Sequence, residues 1–70
     1  MAMSVAVEAV GKGDRVVLWI GGAPEHGGGP RAVVIGAVHE EAAYRTFQVS
    51  HEGASLDVKV PRGQTVDLVC

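Results

Sequence analysis

Residues Gly21-Gly22-Ala23-Pro24-Glu25-His26-Gly27-Gly28-Gly29-Pro30-Arg31 stand between two apolar runs, Val16-Val17-Leu18-Trp19-Ile20 and Ala32-Val33-Val34-Ile35-Gly36-Ala37-Val38. Five glycines and two prolines fall within residues 21–30. Glycine costs a helix backbone entropy, and proline removes a donor and clashes with the preceding turn, so no helix is expected there. The segment reads as a loop joining two strands. It is longer than a tight hairpin requires, and long loops of compact domains are places where binding concentrates.

The flanking runs fix the fold class. They are short, rich in valine and isoleucine, and punctuated by glycine, proline and charged turns, the pattern of pleated surfaces rather than helices. Six strands are expected, over 3–10, 15–20, 32–38, 44–50, 55–60 and 65–69. Gly11-Lys12-Gly13-Asp14, His51-Glu52-Gly53-Ala54 and Pro61-Arg62-Gly63-Gln64 read as tight turns between them. In 55–60 and 65–69 the alternation is clean: Leu56, Val58, Val60, Val66 and Leu68 face one way, and Asp57, Lys59 and Asp67 the other. Asp57, Asp67 and Lys59 are expected to lie close together as cross-strand charges. Residues 16–20 and 32–35 are apolar on both faces, so they are expected either to be central to a closed barrel or to present one face to a second subunit, which a chain this small favours. His39-Glu40-Glu41-Ala42-Ala43 carries helix-favouring residues but is too short to sustain a helix alone, and it reads as a turn or a single helical turn.

The expectation is an all-β, small, five- or six-stranded antiparallel SH3-like barrel with one long Gly/Pro-rich loop, a single domain over 1–70. A chain of 70 residues buries only about 60% of its unfolded surface, so further stability is expected from association. Cys70 is the only cysteine, which excludes a disulfide or a thiolate metal cluster within these residues. Met1-Ala2-Met3-Ser4-Val5 has no basic stretch followed by a long apolar one, and no run reaches the roughly 18 apolar residues of a membrane span. A cytoplasmic setting without membrane contact is expected.

Net charge is −2, from six basic and eight acidic residues. That balance gives no bulk attraction for nucleic acid. A local surface built from Arg15, Arg31, Arg45 and Arg62 with Tyr44 and Phe47 is the form nucleic-acid binding would take here, since stacking needs aromatic rings interleaved with cations. Tyr44 and Phe47, three apart, face opposite sides of a strand. Trp19 sits in an apolar run and suits a core or an interface.

Each histidine has a glutamate beside it: Glu25-His26, His39-Glu40 and His51-Glu52. Imidazole with carboxylate can bind a metal or move protons. His26, His39 and His51 are the metal-ligand candidates, although their spacing matches no known ligand pattern. Gly27-Gly28-Gly29-Pro30-Arg31 has the composition of an anion cradle. It lacks the Lys-Ser/Thr and the following helix of a phosphate loop, because Ala32-Val33-Val34-Ile35 reads as a strand. Ser4, Ser50 and Ser55 stand in no nucleophile context, and the consecutive Ser50-His51-Glu52 cannot converge as a triad. No catalytic residue and no cofactor are expected.

At Gly11-Lys12-Gly13-Asp14-Arg15-Val16-Val17 the chain resembles the opening of SH3-like small barrels, including KOW-type modules and the type II dihydrofolate reductases. The likeness extends in element order over about residues 11–69. It implies a barrel. In the reductases folate and nicotinamide cofactor are bound through a Val-Gln-Ile-Tyr stretch, whose place here holds Leu56-Asp57-Val58-Lys59, and the family's early-strand lysine falls near Leu18 or Trp19. The resemblance therefore implies no reductase site. KOW-type modules carry more basic charge than this chain does.

The function expected is that of a small non-catalytic module that self-associates and binds a partner through Trp19, Gly27, Gly28, Gly29 and Arg31. The alternatives are a nucleic-acid-binding module and a small enzyme whose site forms at a symmetric subunit interface, where histidines and aspartates from several copies would converge.

Overall fold

The computed structural model of the chain describes residues 2–69. Cys70 lies outside them. Six strands form: β1 (Ala2–Ala6), β2 (Arg15–Ile20), β3 (Gly29–Glu40), β4 (Tyr44–His51), β5 (Ala54–Pro61) and β6 (Thr65–Val69). They make one antiparallel sheet in the order β1-β6-β2-β3-β4-β5. The fold is all-β, as expected. The sheet is open: β1 and β5 are its two edges and do not pair with each other.

The 12-residue β3 turns one half of the sheet onto the other. Its first half, Gly29 to Val34, pairs with β2, and from Ile35 onward it pairs with β4. The register shifts between Ile35 and Ala37, at Gly36, and such an irregularity bends a strand and sharpens its twist. Both halves then bury their inward residues in one core: Val16, Leu18 and Ile20 of β2, Val33 and Ile35 of β3, Phe47 and Val49 of β4, and Val60 of β5.

The first strand is shorter than the 3–10 expected. The chain leaves β1 after Ala6 and makes a 3-10 turn, Val7–Ala9, that drives Val7 and Val10 into the core. Two of the three expected tight turns do not close hairpins, because β6 lies between β1 and β2, and β5 and β6 are not neighbours. Only His51-Glu52-Gly53-Ala54 joins adjacent strands, with Glu52 and Gly53 at φ 52 and 79. The separation of β5 from β6 also overturns the expected grouping of Asp57, Asp67 and Lys59. Lys59 instead stands over the Tyr44 ring, 4.9 Å from its centre.

His39 and Glu40 belong to β3, opposite Thr46 and Arg45. The turn is confined to Glu41, Ala42 and Ala43, closed by the Glu41 N–H donating to the Tyr44 carbonyl at 3.0 Å, with no helical turn. β3 begins three residues before the expected Ala32 and takes in Pro30. There β3 has a neighbour on one side only, the edge position at which a strand tolerates proline.

Arg45 is a structural element that the sequence did not announce. It is 6% exposed, and its Nη1 donates to the carbonyls of Val7 and Val10, each at 2.7 Å. The guanidinium thus satisfies the Val10 carbonyl and gives the Val7 carbonyl, which already accepts from the Val10 N–H at 3.3 Å, a second donor; it packs 5.5 Å from the Phe47 ring centre. Its Nε lies 3.1 Å from Glu40 Oε1 without hydrogen-bond geometry, so that contact is ionic. Glu40 also accepts from Arg62 Nη2 at 3.0 Å.

Candidate functional site

The β2–β3 connection is a built loop. Its expected freedom from helix holds except for a single 3-10 turn, Pro24–His26. The N–H groups of His26 and Gly28 both donate to the Ala23 carbonyl, and that of Gly27 to the Pro24 carbonyl. With those donors turned inward, Gly27 and Gly28 offer no cradle of free N–H groups to an anion.

Close approach explains one glycine outright. A Cβ on Gly28 would stand 1.8 Å from the Gly22 carbonyl oxygen, so only glycine lets the two ends of the loop touch. Gly27 closes the 3-10 turn at φ 90, a left-handed conformation that side chains with a Cβ rarely adopt.

Two side chains clasp this loop. Trp19 Nε1 donates to the Gly22 carbonyl at 2.6 Å. Arg31 donates from Nη1 to the Pro30 carbonyl at 3.0 Å and from Nη2 to the Gly27 carbonyl at 3.3 Å. Guanidinium carries five N–H donors, so three remain for a ligand. Of the residues expected to meet a partner, Trp19 and Arg31 are exposed, Gly27 is exposed, Gly28 is half-buried, and Gly29 is buried within β3.

Two surfaces result. The first is the outward face of β2 and β3, where the ladder sets Trp19 opposite Pro30, Val17 opposite Ala32, and Arg15 opposite Val34. Trp19 and Val34 are 53% and 54% exposed. The alternation that sends Val16, Leu18, Ile20, Val33 and Ile35 inward leaves this second apolar set facing outward. The runs read as apolar on both faces are so in the structure.

The second surface is a cleft of about 460 Å³ at one end of the sheet's interior, between the loop and the β4–β5 turn. His26, Arg31, His51 and Glu52 line it, with Ile20 and Leu56 as apolar lining. Ile20, Arg31 and His51 have the strand parity of the core residues Leu18, Val33 and Val49, so the cleft continues the core outward. His51 Nε2 lies 3.2 Å from Glu52 Oε1.

The remaining expected residues scatter. His39 is on β3 and does not line the cleft. Among the described residues, no group of three or more histidine, cysteine or acidic side chains is placed to hold a metal ion. Of the nucleic-acid set, Phe47 is fully buried and Arg45 nearly so, while Arg62 is partly buried and tied to Glu40 and the Glu41 carbonyl. Tyr44 is half-buried beneath Lys59. Arg15 and Arg31 are exposed, so the six residues do not form one stacking surface.

Among the described residues no helix is long and apolar enough to cross a membrane. No protein-family model, no curated protein and no solved structure gives a significant match to the chain.

Proposed function

We propose that this chain is a self-associating binding module of the SH3-like small-barrel kind, in which two copies meet through the outward face of β2 and β3. The observation that carries this reading is the cross-strand set Trp19–Pro30, Val17–Ala32 and Arg15–Val34, with Trp19 and Val34 more than half exposed. Exposed apolar patches on a small protein favour interfaces, and aromatic residues are enriched at the centres of such surfaces.

A second copy is the occupant that the charges suit. Asp67 of β6 stands opposite Val17 on this face, and Arg15 follows two residues along β2. A patch holding one cation and one anion around an apolar centre is self-complementary under a twofold axis, as an isologous contact requires. A standard interface removes about 800 Å² per partner, roughly a fifth of the chain's 4387 Å² of surface. Trp19 lies between this face and the loop, so assembly and loop conformation are coupled.

Size-exclusion chromatography with light scattering tests the reading. The wild type is expected to elute as a dimer or higher oligomer, and Val34→Glu as a monomer with an unchanged β-sheet circular dichroism spectrum. A folded Val34→Glu that assembles as the wild type does would contradict this choice of face.

A further inference from the structure

We infer that the cleft formed by the β2–β3 loop and the β4–β5 turn is a binding site for a small organic anion, with Arg31 as the group that receives its charge. The site lies within one chain, so it does not depend on the proposed self-association.

Its shape and lining fit such a ligand. About 460 Å³ is within the range of small-molecule sites, which are mostly apolar with a few placed polar groups. Ile20 and Leu56 supply apolar contact. Arg31 supplies the anion-directed group: its two bonds to the Pro30 and Gly27 carbonyls fix the guanidinium and leave three donors free. Planar guanidinium suits carboxylate and phosphate because two parallel N–H groups can meet two oxygens. The loop's own N–H groups at residues 26–28 are spent internally, so recognition falls to side chains.

The charged groups lining the cleft are Arg31, His26, His51 and Glu52. Arg31 and Glu52 carry opposite charges, and the imidazoles of His26 and His51 add hydrogen-bonding groups beside them.

Glu52 gives a second, independent observation. It is the one described non-glycine residue at positive φ, 52°, in a turn position that favours Asn, Asp or Gly. A backbone outlier of this kind persists at cost and clusters at functional places. Here it puts a carboxylate beside His51, at 3.2 Å, where it offsets the positive charge that Arg31 brings to the cleft.

Titration of the full chain with benzoate, phenyl phosphate and neutral benzyl alcohol, followed by amide chemical shifts, tests the site. Benzoate or phenyl phosphate should shift Ile20, Arg31, His51 and Leu56, and bind on the order of tenfold more tightly than benzyl alcohol, the effect of a charge-assisted hydrogen bond. The tighter of the two names the head group as carboxylate or phosphate. Glu52→Gln should bind several-fold more tightly than wild type, because it removes the negative charge lining the cleft. Arg31→Gln should lose binding, and Lys12→Gln, outside the cleft, should retain it. Equal binding of benzyl alcohol, or wild-type affinity in Arg31→Gln, would each overturn the proposal.

Discussion

The indole Nε1 of Trp19 donates to the main-chain carbonyl of Gly22 at 2.6 Å, which ties the chain's only tryptophan to the loop that follows its strand. The same side chain is 53% exposed on the outward face of the sheet. One residue thereby reports on both the loop and the face. Trp19 emission is expected to shift to shorter wavelength as protein concentration rises, because association removes the ring from water. Emission independent of concentration would show that the ring stays wet.

Gly28→Ala should damage the loop and spare the sheet. A methyl at that position would meet the Gly22 carbonyl at 1.8 Å, far inside contact distance, so the loop must open. The expected cost is about 2 kcal/mol or more, read as a lower melting temperature together with altered Trp19 fluorescence. A variant with wild-type melting and emission would contradict the close approach.

Arg45→Met should cost about 2 kcal/mol, because it leaves the buried Val10 carbonyl without a donor and the Val7 carbonyl with only the Val10 N–H. Chains of this size have little stability to spare. Urea unfolding measures the loss. Wild-type stability in Arg45→Met would mean that water satisfies those carbonyls as well as the guanidinium does.

Glu40 couples stability to pH. The hydrogen bond from Arg62, and then the charge of Arg45, hold its carboxyl below the ordinary glutamate range. Its folded-state pKa is thus lower than its unfolded one, so its contribution is present above the unfolded value and is lost as pH falls through the folded one. Glu40→Gln should flatten the acid limb of the stability profile and leave the rest of its shape unchanged. Parallel acid limbs in the two proteins would contradict this linkage.

Glu52→Asn should stabilise the chain by about 0.5–1 kcal/mol, since asparagine tolerates the left-handed backbone at φ 52 better than glutamate does. The exposed contact to His51 that it gives up is worth little. Thermal denaturation checks the sign: a drop in melting temperature would mean that the His51–Glu52 contact outweighs the strain.

Strand positions were legible in the sequence, and strand neighbours were not. Valine-rich runs broken by glycine mark most of the strands, and the β-branched and aromatic residues Tyr44, Thr46, Phe47 and Val49 mark β4, because such side chains and turn residues act locally. The place of β6 between β1 and β2 is a long-range packing outcome with no local trace. Arg45 carries two opposed local signs: its charge suits a surface, while its parity with Phe47 and Val49 points it inward. Arg31 and His51 share the inward parity of Val33 and Val49, yet they fall one residue outside the expected strands 32–38 and 44–50, so the alternation read there does not reach them. What no spacing reveals is that His26, from a loop, lines the same cleft as His51. The two-faced apolar character of residues 16–20 and 32–35 was legible in full, since period-two alternation alone assigns one set to the core and the other to the surface.

Sedimentation equilibrium of the wild-type chain at tens of micromolar tests the central claim most directly. A mass at least twice that of the 7.2 kDa chain, falling toward the monomer on dilution, is the predicted result. A single 7.2 kDa species across the whole concentration range would contradict self-association through the β2–β3 face.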